Sequence, residues 1–356
     1  MGTSMATNAD PRTRMQWIDI AKCIGIFAIV YGHTIQEGLS CRYVYSFHVP
    51  LFFLLQGVVF RITRANQKPF RQYLKSKVYT LLIPYACFSV VSTAVIFLAS
   101  MVITVPGLDI FSSLTELCIR LIGGDCEANS PLWFLPCSFV MAVMAYGIIN
   151  LVNKQENSIV RIWVLTVIAI VCGVALYVTE KFTKVKFLPW KLDAAVFMFP
   201  FFIVGYMSVE YGWIDRLLKL RGSLKAVAAV FLLGIGAVLG LMNGEANYLG
   251  NYYGNIPVTY LAAFATCIGI FFLSMLIPDI KMLTYVGRNT LAILLMHKFP
   301  VLLFQIAVPF TAAWIDQQSI LVSIVVTLTS IALCCAAEWI IRRICPMVIG
   351  KRKRIP

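Results

Sequence analysis

A length of 356 residues would suffice for two or three soluble domains. Composition excludes them: 60% of residues are hydrophobic, 13% are charged and the mean hydropathy is +0.83, whereas a soluble domain carries about 25% charge. Disordered and fibrous chains are excluded by the same values. The net charge of +14 comes from Lys and Arg gathered in short loops and at the C-terminal end, which points to membrane topology rather than to nucleic acid.

In chain order, residues 1–16 form a short polar segment without the apolar core of a signal peptide, and Ala6 breaks the myristoylation pattern. Ten candidate spans of about 20 mostly apolar residues follow, near 17–37, 44–61, 79–104, 132–152, 160–178, 192–210, 224–242, 257–277, 286–309 and 320–341. The second is short. The longest connection, 105–131, contains an amphipathic stretch at 111–122 that reads as an interfacial helix. With the N-terminus inside, inner segments hold 22 Lys and Arg and outer loops hold 6, four of them Lys in 179–191. The bias predicts an all-α polytopic bundle of about ten transmembrane helices with both termini cytoplasmic. The organisation is then a cytoplasmic segment 1–16, a transmembrane domain 17–342 and a basic tail 343–356, whose 350–354 run suits anionic lipid.

Most of the 11 Cys lie in apolar runs without CxxC or metal-ligand spacing and read as small apolar filler, so no metal is expected. Cys41 and Cys126 fall in outer loops, where an oxidising space would permit a disulfide. No Walker loop, GxGxxG or GxSxG motif is present.

The first span carries the chemistry-bearing residues Asp19, Lys22 and His33. Each is costly in lipid, about 2.5–3.5 kcal/mol for a central Asp or Lys. Eleven residues from Lys22 to His33 make three helical turns, so both lie on one stripe, separated by about 16 Å along the axis. Asp19 precedes Lys22 on that face, close enough for an ion pair. A purely structural stripe, a buried pair and a hydrogen-bonded imidazole, fits the spacing equally well. In the second span His48 precedes Pro50 near the same outer end as His33, and Gln56-Gly57 suits close packing with a polar contact.

Five motifs then stand in order: Asp19-Ile20-Ala21-Lys22 with Gly32-His33; Phe47-His48-Val49-Pro50-Leu51-Phe52-Phe53 with Gly57; Leu82-Ile83-Pro84-Tyr85; Leu132-Trp133-Phe134-Leu135-Pro136; and Val286-Gly287-Arg288-Asn289-Thr290 running to His297. Together they resemble the acyltransferase 3 family of membrane acyltransferases, and most of all its short fucose 4-O-acetylase-like branch. The family's basic residue, ten spacers and His match Lys22 and His33. The resemblance implies transfer of an acyl group, usually acetyl, from acetyl-CoA to a hydroxyl of a saccharide, glycolipid or other small alcohol at a cell (plasma or inner) membrane. Many members carry an Arg pair before the proline that opens the third helix. Val78 and Leu81 occupy that stretch here, and the nearest cations are Arg71, Lys75 and Lys77.

The residues support such chemistry. A neutral His accepts a hydroxyl proton at neutral pH, and a donor or cation steadies the tetrahedral oxyanion. His33 is the expected base. His48 either orients it, carries a second proton or faces the oxyanion. Asp19, Lys22, Arg71, Lys75 and Lys77 are the expected contacts for acyl-CoA and its phosphates, although topology alone also accounts for loop cations. Trp133 either stacks on a sugar or belongs to the interfacial belt. His297 is expected to touch the acceptor on the strength of the resemblance, and Glu338 to pair with Arg342 one turn on. The expected partners are membrane lipids, acyl-CoA and the acceptor. A secondary transporter or flippase using the same polar groups is the alternative, but no internal repeat supports it.

Overall fold

The computed structural model describes residues 11–35, 37–101, 114–182, 188–244, 246–307 and 319–352. Most of the N-terminal segment, Lys184, Lys186 and the last part of the basic tail lie outside the described residues. Within them the helices are α1 (Pro11–Thr34), α2 (Leu39–Ile62), α3 (Phe70–Lys77), α4 (Ile83–Ser100), α5 (Leu114–Gly123), α6 (Phe134–Val152), α7 (Ser158–Phe182), α8 (Leu192–Glu210), α9 (Trp213–Leu218), α10 (Gly222–Asn243), α11 (Ile256–Leu276), α12 (Lys281–Arg288), α13 (Thr290–Met296), α14 (Lys298–Ala307) and α15 (Ile320–Ile344).

Eight helical stretches among the described residues are long and apolar enough to cross a membrane. The protein is an all-α polytopic membrane protein. The eight are α2, the α3–α4 rod, α6 with its lead-in, α7, α8, α10, α11 and α15. The second span is a full helix of 24 residues, longer than the sequence suggests. The α3–α4 rod is continuous because a π turn, Val78–Leu82, bridges the two helices ahead of Pro84.

Two of the ten expected spans are not among these eight. At 24 residues α1 rises about 36 Å, ample for a crossing, but Asp19, Lys22 and His33 lower its hydropathy. Its polar groups are sheltered because α1 is central, packed by α2, α11, α12, α13 and α15. The expected 286–309 span is three short helices. Asn289 (φ −111°, ψ 14°) ends α12. A second break falls at His297, where Pro300 has no N–H to offer the Met296 carbonyl. The His297 ring meets the local carbonyls instead, with Nδ1 bonding to Ile293 O (3.1 Å) and Leu294 O (2.9 Å).

The tightest crossing joins α2 to α8. A Cβ on Gly57 would lie 2.0 Å from Phe202 O, and one on Gly205 would lie 2.0 Å from Leu54 O. Only hydrogen at both positions lets the backbones approach this closely. Arg61 and Glu210 then pair at the basic end of the two helices. By contrast α7 and α10 expose aliphatic faces, including Val167, Ile170, Val227 and Val230, suited to lipid.

Between α5 and α6 the chain folds back into the bundle through Glu127–Trp133. Asn129 is fully buried there, and its Nδ2 donates to Ser92 Oγ (3.1 Å) and Leu295 O (2.9 Å). Cys41 and Cys126 sit in separate hydrophobic clusters and no disulfide joins them. Part of the tail departs from expectation. Lys351 turns inward, its Nζ 2.7 Å from Glu338 Oε1, while Arg352 is exposed with its guanidinium 5.9 Å from the Tyr79 ring centroid. Lys351 lies opposite a buried carboxylate, so facing lipid would strip that charge of its nearer cation and leave it Arg342 at 3.6 Å.

Candidate active site

Helix α1 lines two stacked cavities with one stripe. Lys22, Ile26 and Ile29 border a cavity of about 270 Å³, and Gly32 and His33 border another of about 300 Å³. Helix α2 repeats the pattern, giving Phe52, Gln56, Val59 and Thr63 to the first and His48 and Val49 to the second. Thr290, Leu291 and Leu294 line the first and Lys298 the second. Phe134 borders the first cavity and the adjacent Trp133 the second, and the Phe52 and Phe134 rings pack edge to face at 6.0 Å.

The first cavity lies toward the basic end. Its charged lining residues are Lys22 and Lys77, and Gln56, Thr63, Thr80 and Ser138 add polar atoms. Lys77 Nζ stands 5.4 Å from the Tyr73 ring centroid. Thr80 and Leu81 reach this wall from the π turn, a distortion that often marks functional helices. Arg71 and Lys75 are exposed on α3 and border neither cavity.

The expected Asp19–Lys22 ion pair is absent. Asp19 instead accepts from Arg288 Nε at 2.7 Å. Helix α12 lies against α1 so closely that a Cβ on Gly287 would meet Asp19 O at 1.8 Å. That approach puts the Arg288 guanidinium on the carboxylate and leaves Lys22 to the cavity.

The second cavity holds His33, His48, Lys298, Trp133, Tyr45 and Tyr248, with no carboxylate in its lining among the described residues. His48 Nδ1 lies 2.8 Å from Val44 O. A carbonyl can only accept, so Nδ1 carries the proton and the neutral ring keeps a lone pair on Nε2. The Tyr45 ring packs edge-on to His48 at 4.9 Å. His33 has no hydrogen-bond partner among the described residues, and its ring borders the open space. His297 does not line the cavity. It is fully buried behind His33, with ring centroids 5.1 Å apart and its Nε2 without a partner. The adjacent residue, Lys298, faces the chamber in its place.

The loop between α10 and α11 closes this end. Pro50 has no N–H, so the Ser46 carbonyl lacks its helical donor, and Tyr248 Oη donates to it at 3.0 Å. Burial pushes the Tyr248 phenol above its ordinary pKa range, which keeps it a donor. Lys191 Nζ donates to Leu249 O at 3.2 Å and ties the same loop to the start of α8.

A larger groove of about 520 Å³ between α7, α8 and α11 has no His, Cys or charged side chain in its lining. Among the described residues no group of three His, Cys, Asp or Glu is placed to hold a metal ion.

The family model for the acyltransferase 3 family, an acyltransferase domain, matches residues 15–339. The chain belongs to the acyltransferase 3 family. No curated protein and no solved structure matches it. As an acyltransferase 3 protein it is an integral membrane acyltransferase, and the match takes in α1 through most of α15, hence both cavities. Tyr45 and Tyr248 are lining residues that sequence reasoning did not single out. Of the neighbouring mid-helix pair His297 and Lys298 the resemblance favours His297, whereas Lys298 is the one that lines the cavity.

Proposed function

We propose that this acyltransferase moves an acetyl group from acetyl-CoA to a hydroxyl of a saccharide, glycolipid or other small alcohol, in the manner of the fucose 4-O-acetylase-like branch. Acetyl-CoA enters from the basic, cytoplasmic end. Lys22 and Lys77 meet its phosphates, and the thioester extends past Ile26 and Ile29 toward His33. The rise of about 16 Å between Lys22 and His33 suits an extended pantetheine arm. The acceptor sits in the second cavity, where Trp133 offers an aromatic face. The His33 imidazole takes the hydroxyl proton as the alcohol oxygen attacks the thioester carbon. The tetrahedral oxyanion collapses, the C–S bond breaks, and the CoA thiolate recovers the proton from His33. His48, with its proton fixed on Nδ1, presents Nε2 to the same space and steadies the base or relays the proton. A plasma-membrane location follows from this reading.

The single observation that carries it is the stripe Lys22, Ile26, Ile29, His33 lining two cavities in succession. The test uses purified protein in nanodiscs with labelled acetyl-CoA and glycoside acceptors. Acetyl transfer should fall about 10²–10⁴-fold in His33→Ala. Undiminished transfer in that variant, or solute uptake into proteoliposomes without CoA, overturns the proposal.

A further inference from the structure

Two sets of charged groups bear on the cavities. In the first, opposite charges meet: Asp19 holds Arg288, Glu210 holds Arg61, and Glu338 holds Lys351 and Arg342. In the second are Lys22, Lys77 and Lys298. Among the described residues none of these three ammonium groups has a hydrogen bond or lies within ion-pair distance of a carboxylate. Lys22 and Lys77 open into the first cavity and Lys298 into the second. A cation held among helices is retained where something compensates it, and a cavity lined by such a cation suits an anionic ligand. For Lys22 and Lys77 the donor's phosphates supply the negative charge. The second cavity has the same need and a different occupant.

We infer that the acceptor is an anionic saccharide whose carboxylate or phosphate pairs with Lys298 while the hydroxyl to be acylated lies at His33. This deepens the reading above and rests on the second cavity being the acceptor site. The remaining lining fits a sugar acid or sugar phosphate. His33 and His48 offer ring nitrogens, Tyr45 and Tyr248 are hydroxyl-bearing rings, and among the described residues no Asp or Glu lines the cavity. Trp133, buried with its ring at the edge of the cavity, supplies a face for the apolar side of a pyranose. A half-buried lysine in the cavity wall also discriminates: a neutral acceptor leaves the ammonium unpaired, and an unpaired polar partner is what makes such sites selective.

The test compares three probes, methyl β-D-glucoside, methyl β-D-glucuronide and methyl β-D-glucoside 6-phosphate, for binding to the protein in nanodiscs by calorimetry and for acetyl transfer. At least one anionic probe should bind the wild type ten-fold or more tightly than the neutral glucoside, and the two anionic arms separate carboxylate from phosphate. Lys298→Met should erase that preference and Lys298→Arg should keep it. In transfer assays Lys298→Met should raise KM for the anionic acceptor ten-fold or more relative to KM for the neutral one. Equal binding of all three probes by the wild type, or a preference that survives Lys298→Met, overturns the inference. So does an equal loss of kcat on neutral and anionic acceptors, which would make Lys298 a stabiliser of the oxyanion. His33→Ala keeps the two questions apart: it should abolish transfer but retain the charge preference in binding. A wild type that shows the preference without transferring acetyl would sink the catalytic reading and leave the anion site standing.

Discussion

Replacing Gly57 by Ala tests the crossing that holds α2, and with it His48, in place. The added Cβ would start 2.0 Å from Phe202 O, and real Cβ contacts essentially never fall below 3.0 Å. The obstructing atom is backbone, so no side chain can swing aside. The helices must part by about 1 Å, and a gap of that size forfeits a quarter to a half of the dispersion attraction across the interface. Overpacking of this kind costs about 1–3 kcal/mol. Gly205→Ala meets Leu54 O at the same 2.0 Å from the other side. If the first alanine has already opened the crossing, the second finds room, so the double variant should cost at least about 0.5 kcal/mol less than the sum of the singles. Unfolding by SDS titration in bicelles measures all three, with Gly147→Ala as control because nothing lies within 4 Å of its Cβ. Transfer activity should fall as well, since a shift of about 1 Å in a positioned group can cost about 10²-fold. Strict additivity, or a Gly57→Ala protein as stable and active as wild type, would refute the reasoning.

Two further outcomes follow from the site and its supports. Lys22→Met should raise KM for acetyl-CoA about ten-fold, the equivalent of about 1.4 kcal/mol, while Arg71→Gln, exposed on α3 and away from both cavities, should leave it unchanged; steady-state kinetics at fixed acceptor concentration decides. Glu338 has 0% exposure and holds Lys351, Arg342 and the Tyr285 hydroxyl, so Lys351→Met, which strips a partner from a buried charge, should cost about 3–5 kcal/mol, and adding Glu338→Gln to it should restore part of that loss in the same SDS titration.

Much of the bundle was legible because helices in lipid must be long and apolar, and 192–210 and 257–277 fall within a residue of α8 and α11. Part of the site was legible for a similar reason. An eleven-residue spacing fixes helical phase, so Lys22 and His33 had to share a stripe wherever α1 sat. Partnership was not legible. Nothing near Asp19 in sequence announces Arg288, which is 269 positions away and reaches it only because Gly287 lets α12 lie on α1. Nor could composition show that 286–309 is broken, since its residues are as apolar as an unbroken span. The interruption at Asn289 sets the phase of the helix that follows, which turns Lys298 rather than His297 to the chamber. Lys351 misled in the opposite way: a basic tail normally seeks water or anionic lipid, and only a carboxylate buried in α15 makes the inward course the better one.

Pro50 ties the chemistry of one backbone nitrogen to the roof over the second chamber. The latch of Tyr248 on the Ser46 carbonyl exists because residue 50 has no proton to offer that oxygen. Returning the proton with Pro50→Ala would mend the helix and make the phenol share an oxygen it now has to itself, since a carbonyl offers two lone pairs. A sturdier helix would then come with a looser roof, held chiefly by Lys191 on the Leu249 carbonyl.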